Sequence, residues 1–111
     1  MDRVRRLKAA MFHALGNPTR LAILEILRDG ELPVAAIMSR LGLDQANISQ
    51  HLATLRSRRL VTNRKEGNQV FYSIRDPLLL GVIDLMKKYC MAHLEDDLVL
   101  LKEMKAEGRR K

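Results

Sequence analysis

Two short segments with helical periodicity, separated by a glycine, constrain the fold of this chain more than any other feature. The first segment begins at Pro33, has apolar residues at helical spacing, and ends at Gly42. Asp44 then precedes the second segment, where its carboxylate suits the N-cap of a helix. Two short helices joined by a tight glycine turn form a helix-turn-helix, which we predict at residues 34–57.

The residues after this motif change to strand periodicity. Residues 69–74 alternate as a strand does, and residues 60–65 form a less regular partner. Between them, residues 66–68 supply the glycine and asparagine that a tight turn requires. We therefore predict a β-hairpin, called the wing here, at residues 60–74.

Three further helices are predicted around this centre. An amphipathic helix at residues 3–15 is followed by a second helix, for which Asn17 is the N-cap and Pro18 the first residue. A long helix follows the wing at residues 77–105. The fold class is thus mainly α with a small β-hairpin, a winged helix-turn-helix of order α-α-α-α-β-β-α, in a single domain spanning residues 1–111.

The charge distribution indicates a polyanionic partner. The chain has 20 Lys and Arg against 13 Asp and Glu, a net charge of +7, and this excess lies wholly in residues 1–75. The alternative is a basic face that only keeps the protein soluble.

A hydrophobic content of 47% is enough for a packed core. No segment approaches the ~18 apolar residues of a membrane span, and no cleavage site follows the basic N-terminus, so we expect a cytoplasmic protein without membrane contact.

The second helix of the motif has one apolar and one polar face. On a helical wheel Ile48, Leu52 and Leu55 lie together and are expected in the core. The opposite face carries no charge before Arg56, and its amide side chains can bond adenine edges in the major groove. The candidate contacts on it are Asn47, Ser49, Gln50 and Thr54. An ordinary solvated face is the alternative. His51 lies nearer the buried side, which favours a packing or helix-positioning role.

Cationic and polar side chains surround the wing. Such side chains neutralise phosphates or enter the minor groove, although they also keep edge strands from aggregating. The candidates are Arg56, Arg58, Arg59, Arg64, Lys65, Asn68 and Gln69. We expect Arg64→Ala to weaken binding to all DNA and to lower the salt slope by about one unit, and Gln50→Ala to relax sequence preference.

Three sequence motifs resemble those of the ArsR/SmtB family of bacterial repressors. They are ALGNPTRL at residues 14–21, NISQHL at residues 47–52 and EGNQVFY at residues 66–72, within a resemblance that covers roughly residues 5–90. The resemblance implies a homodimeric repressor of double-stranded DNA whose operator affinity changes with a metal ion or another chemical signal. It also supports Ser49 and Gln50 as DNA contacts.

The last helix has more apolar residues than one packed stripe needs, and so large an exposed apolar surface usually signals a partner. The family resemblance implies a twofold dimer through the first and last helices. A dimer also explains how a palindrome is read, because two recognition helices must lie about 34 Å apart. The candidate interface residues are Leu7, Met11, Ile83, Met86, Cys90 and Leu94.

Neither metal site of the resembling family is complete in this sequence. The site on the third helix looks like Glu-Leu-Cys-Val-Cys-Asp-Leu, whereas residues 31–37 read ELPVAAI. The second site pairs Asp-x-His with His-x-x-Glu. Residues 93–96 resemble only its downstream half. Leu80 and Val82 occupy the positions where the upstream half has its Asp and His. A site for zinc, nickel or cobalt built from Cys90, His93 and Asp97 is chemically possible, but we favour a metal-independent member with an unknown inducer.

Cys90 is the single cysteine, so the chain forms no internal disulfide or thiolate-rich zinc cage. Its apolar neighbours favour a small buried residue over a redox switch.

An enzyme is disfavoured, because there is no phosphate-cradling glycine loop and no pair of buried carboxylates. The alternatives are a winged helix for protein interaction, non-specific nucleoid-type DNA binding, and RNA binding, for which the chain has few aromatics.

Overall fold

The computed structural model describes residues 2–110; Met1 and Lys111, the ends of the predicted domain, lie outside the described residues. The chain divides into two compact units, the first ending at Leu79 and the second beginning at Leu80. The described residues are mainly helical with a small antiparallel sheet. In order, the elements are α1 (Arg3–Leu15), α2 (Pro18–Ile26), β1 (Leu32–Pro33), α3 (Val34–Leu41), α4 (Gln45–Ser57), β2 (Val61–Glu66), β3 (Gln69–Ile74) and α5 (Leu78–Arg110).

The helix N-termini have the caps that the sequence predicts. The side chain of Asn17 accepts a hydrogen bond from the Arg20 N–H at 3.1 Å, and Pro18 is the first residue of α2. Asp44 accepts from the Asn47 N–H at 2.8 Å at the start of α4. Each cap satisfies a backbone donor that has no partner within its helix.

Gly42 forms the turn of the helix-turn-helix. Its φ of 65° lies in the left-handed region, where a side chain is strained. The Gly42 N–H donates to the Met38 carbonyl at 2.8 Å, and the Leu43 N–H donates to the same oxygen at 3.3 Å. These bonds end α3 and redirect the chain into α4, so the two helices of the motif lie at residues 34–41 and 45–57.

The sheet has three strands, where the sequence predicts a two-stranded hairpin. Its order is β1-β3-β2, and β1 adds to the hairpin by pairing Leu32 with Tyr72 and Pro33 with Phe71. Pro33 therefore ends a strand instead of opening the helical segment, and α3 begins at Val34, the first residue of the predicted helix-turn-helix. Proline has no N–H to donate to a neighbouring strand, so within a sheet it is tolerated mainly on an edge strand, and β1 is an edge strand here. The wing itself begins at Val61, one residue after its predicted start.

Helices α2, α3 and α4 supply most of the core of the first unit. The three residues expected to anchor α4, namely Ile48, Leu52 and Leu55, have no exposed surface. No buried side-chain nitrogen or oxygen in residues 2–110 lacks a hydrogen-bond partner. The other buried apolar residues are Ala14, Ile23, Leu24, Leu27, Ile37, Leu60 and Val61.

Helix α5 has 33 residues and is about 50 Å long at the usual rise per residue. It begins one residue after the predicted start and continues through Arg110, beyond the predicted end at residue 105. The five added residues, AEGRR, have no apolar periodicity, and all of them except Gly108 form helix well. No helix within residues 2–110 has a run of apolar residues long enough to cross a membrane.

Candidate nucleic-acid interface

Helix α4 presents a polar, uncharged surface opposite its buried anchors. Asn47, Ser49 and Gln50 are all exposed. Thr54 is half-buried, and its hydroxyl donates to the Gln50 carbonyl at 3.2 Å, so its proton is already used within the helix. The groups best placed to hydrogen-bond a ligand are therefore the two amides and the Ser49 hydroxyl.

A basic turn follows α4. Arg56, Arg58 and Arg59 are exposed, so this end of the helix carries three cations. Arg59 has a φ of +59° and occupies the left-handed position where glycine usually ends a helix. The next residue, Leu60, is buried, and its N–H donates to the Leu55 carbonyl at 3.0 Å, which fixes the turn.

His51 contacts a residue that sequence reasoning overlooked. Its Nδ1 lies 3.3 Å from Nη1 of Arg20 on α2. The same guanidinium donates from Nε to the Ala14 carbonyl at 2.5 Å and from Nη2 to the His13 carbonyl at 3.4 Å. Arg20 thus connects the end of α1 to α4, which fits a helix-positioning role for His51. The sequence feature that points to Arg20 is its place in the family-like motif at residues 14–21.

The tip of the wing lies opposite the beginning of α4. Lys65, Asn68 and Gln69 are exposed there. A groove of about 240 Å³ separates the tip from α3 and α4; it is lined by Pro33, Val34, Ala35, Met38, Gln45, Asn68, Gln69 and Val70. The wing tip and Gln45, the first residue of α4, therefore border one groove, which the candidate contacts on α4 do not line.

Arg64 is the wing cation that the structure surrounds with acidic groups. Its Nε donates to both carboxylate oxygens of Glu31, at 2.8 and 3.2 Å, and its Nη2 donates to Glu31 as well. Its Nη1 donates to Glu66 at 2.6 Å. The hydrogen bond from Arg64 lowers the pKa of Glu31, and the hydrogen bonds from Glu31 and Glu66 raise the pKa of Arg64.

The residues proposed for a metal on α5 do not form a site within one chain. His93 Nε2 lies 3.9 Å from Asp97 Oδ2, and both side chains are exposed. Cys90 is exposed in the single chain, so the expectation of a buried thiol is wrong for the isolated chain. Nowhere in residues 2–110 do three His, Cys, Asp or Glu residues converge as metal ligands would.

The candidate dimer residues differ in exposure. Leu7, Met86 and Leu94 each expose at least half of their surface, whereas Met11 and Ile83 are half-buried. Other large apolar side chains of α5 are also exposed: Leu78, Val82, Leu85, Tyr89, Met91, Leu98, Val99, Leu100, Leu101 and Met104. So much apolar surface on one helix is unusual for a monomer.

Comparison with known proteins shows that the sequence of this chain is similar to one family of bacterial regulators. The family described as "Bacterial regulatory protein, arsR family" matches residues 17–63. The HTH-type transcriptional regulator Rv0081 of Mycobacterium tuberculosis is 34% identical over 104 residues, which are 93% of this chain and 91% of the relative. The transcriptional activator HlyU of Vibrio cholerae is 43% identical over 84 residues, 75% of this chain and 78% of HlyU.

Solved structures show the same fold. The crystal structure of Rv0081 superposes with a TM-score of 0.80 at 32% identity, covering 88% of this chain and 99% of that one. The homodimeric winged helix-turn-helix DNA-binding domain Mb0332 of Mycobacterium bovis gives a TM-score of 0.76 at 33% identity, covering 83% and 85%. These similarities confirm the predicted winged helix-turn-helix.

Proposed function

Because this chain belongs to the arsR family of bacterial regulatory proteins, we propose that it is a transcriptional regulator, not an enzyme, that binds operator DNA as a homodimer. The observation that carries the proposal is the construction of α4. Three buried anchors hold this helix so that Asn47, Ser49 and Gln50 face outward without any charge. Such a surface hydrogen-bonds base edges, whereas a protein interface favours aromatic residues.

We propose that α4 enters the major groove and that the surrounding cations contact phosphates. Gln50 and Asn47 read base edges, Ser49 bonds a base or phosphate, and Thr54 packs along the groove wall. Phosphate contacts come from residues beside α4 and in the wing: Arg56, Arg58, Lys65, Asn68 and Gln69. The groove between the wing tip and the first residue of α4 supports this assignment, because both can approach one duplex.

We propose that a second copy of the chain covers one exposed apolar stripe on each of α1 and α5. The interface residues are those predicted from the sequence, including Leu7 and Met11 on α1 and Ile83, Met86, Cys90 and Leu94 on α5. A twofold axis then presents two α4 helices to successive major grooves, and the operator is palindromic. A dimer bound across a promoter excludes polymerase, so we propose that the protein acts as a repressor. A site for zinc, nickel or cobalt at Cys90, His93 and Asp97 stays a prediction from the sequence, and the proposal does not depend on it.

The test is a fluorescence anisotropy titration with DNA from upstream of the gene and with a scrambled duplex, at two salt concentrations. We expect binding to the upstream DNA about 10³-fold tighter or more. Equal, strongly salt-dependent affinities would indicate non-specific nucleoid-type binding instead. Absence of binding at low salt would favour a protein-interaction role.

Gln50→Ala is expected to reduce the operator preference about tenfold or more, because a bidentate amide–base contact contributes about 1–3 kcal/mol. The measurement is the ratio of operator to scrambled affinity. Glu25→Ala is the control, since Glu25 is an exposed residue of α2 that neither lines this groove nor belongs to the proposed contacts. An unchanged ratio in Gln50→Ala would contradict the placement of α4 in the groove.

A further inference from the structure

The side chain of Arg64 crosses the whole three-stranded sheet. It starts on the outer strand β2, and its Cζ lies 4.7 Å from the ring centroid of Phe71 on the central strand β3. It ends at Glu31, the residue immediately before β1. We propose that Arg64 is a positioning residue that ties the wing to the start of the helix-turn-helix and does not neutralise a phosphate. The inference rests on the proposed DNA-binding function.

The charges around Arg64 support a positioning role. One guanidinium between the carboxylates of Glu31 and Glu66 leaves a formal charge of −1, which repels a phosphate. The hydrogen bonds to these carboxylates involve Nε, Nη1 and Nη2, so each nitrogen of the fork already has an acidic acceptor. Two of its five N–H groups have no carboxylate acceptor, but a phosphate that bonds them would lie beside two carboxylates that repel it.

Arg64 bonds Glu31 immediately before β1, and this location connects it to the DNA-binding helices. Strand β1 has only two residues, and Pro33 has no N–H to donate to β3, so backbone pairing holds this strand weakly. Yet α3 begins directly after β1, and α4 follows across the Gly42 turn. A bidentate contact between Arg64 and Glu31 supplements the weak pairing, and thereby sets the angle between the wing tip and α4.

The variant Glu31→Ala distinguishes a positioning role of Arg64 from a phosphate contact, because the two roles predict opposite changes in operator affinity. If Arg64 positions the wing, Glu31→Ala weakens operator binding, even though it removes a negative charge near the DNA surface. If Arg64 contacts a phosphate, the same variant releases the guanidinium and tightens binding. In an Arg64→Ala background the positioning role leaves Glu31→Ala without a further loss, because its partner is already absent.

The experiment measures operator affinity against salt concentration for the wild-type chain and for Arg64→Ala, Lys65→Ala and Glu31→Ala. Lys65 is the matched control, an exposed cation on the same strand. We expect Lys65→Ala to reduce the salt slope by about 1.8, since each dimer loses two phosphate contacts. Arg64→Ala is expected to keep the wild-type slope while its affinity falls about tenfold at every salt concentration, as expected when well-aligned ion pairs are lost in both protomers.

The role of Arg64 is overturned if Arg64→Ala lowers the slope as Lys65→Ala does, if it binds like wild type, or if Glu31→Ala tightens binding. A thermal unfolding midpoint within a few degrees of wild type verifies that each variant is folded. A wild-type chain that does not prefer its operator over scrambled DNA overturns the proposed function instead. A lowered slope in Arg64→Ala with wild-type selectivity intact overturns only the assignment of Arg64.

Discussion

Leu94→Asp is expected to dissociate the dimer at micromolar concentration and to lower operator affinity at least 100-fold. Leu94 lies on α5 with 54% of its surface exposed in the single chain, in the stripe that we assign to the second copy. A carboxylate there would be buried against apolar side chains without a partner, which is strongly unfavourable. Each half-site would then be bound separately, so the roughly 10²- to 10⁴-fold gain from bivalent binding would be lost.

Sedimentation velocity gives the oligomeric state, and anisotropy with the operator gives the affinity. Leu85→Asp is the matched control, because Leu85 is 68% exposed and lies about 180° from Leu94 on the wheel of the same helix. It is expected to stay dimeric and to bind normally. A dimeric Leu94→Asp with wild-type affinity would show that the second copy docks elsewhere.

Leu52→Ala is expected to lower the free energy of unfolding by about 3–5 kcal/mol, a large part of the stability of a small domain. Leu52 has no exposed surface and lies between Ile48 and Leu55 on the anchored face of α4. Truncation leaves a cavity under the helix that carries the proposed base contacts. The loss therefore reduces both the folded fraction and the fixed orientation of Gln50.

Urea unfolding followed by circular dichroism measures this change. Leu85→Ala provides the comparison, because truncating an exposed leucine usually changes stability by less than about 0.5 kcal/mol. A Leu52→Ala variant as stable as Leu85→Ala would mean that α4 is not held by its apolar face.

Local signals account for most of what the sequence predicts. The caps Asn17 and Asp44 and the turn at Gly42 each depend on residues within a few positions, so they can be recognised without knowledge of the fold. The buried face of α4 follows from a single helical wheel. The sequence does not predict the extension of α5 beyond residue 105, because residues 106–110 have no apolar pattern.

The features that the sequence does not reveal depend on contacts between distant residues. Strand β1 is too short for any periodicity, and it exists only because Leu32 meets Tyr72 some forty residues later. The contact of Arg64 with Glu31 spans 33 positions, and that of Arg20 with His51 spans 31. The sequence therefore indicates Arg64 as a cation beside the wing, but only the fold supplies its acidic partners.

The absence of charge on the exposed face of α4 has a consequence for how the protein searches a chromosome. The cations of this surface lie at the end of α4 and in the wing. In the proposed complex they meet the same phosphates on any duplex. Ionic strength then changes the residence time on all DNA in parallel, because counterion release is common to every site. Discrimination between sequences depends on neutral hydrogen bonds and is insensitive to salt. We therefore expect the protein to leave non-operator DNA sooner as the ionic strength rises and still to stop at the same sequence.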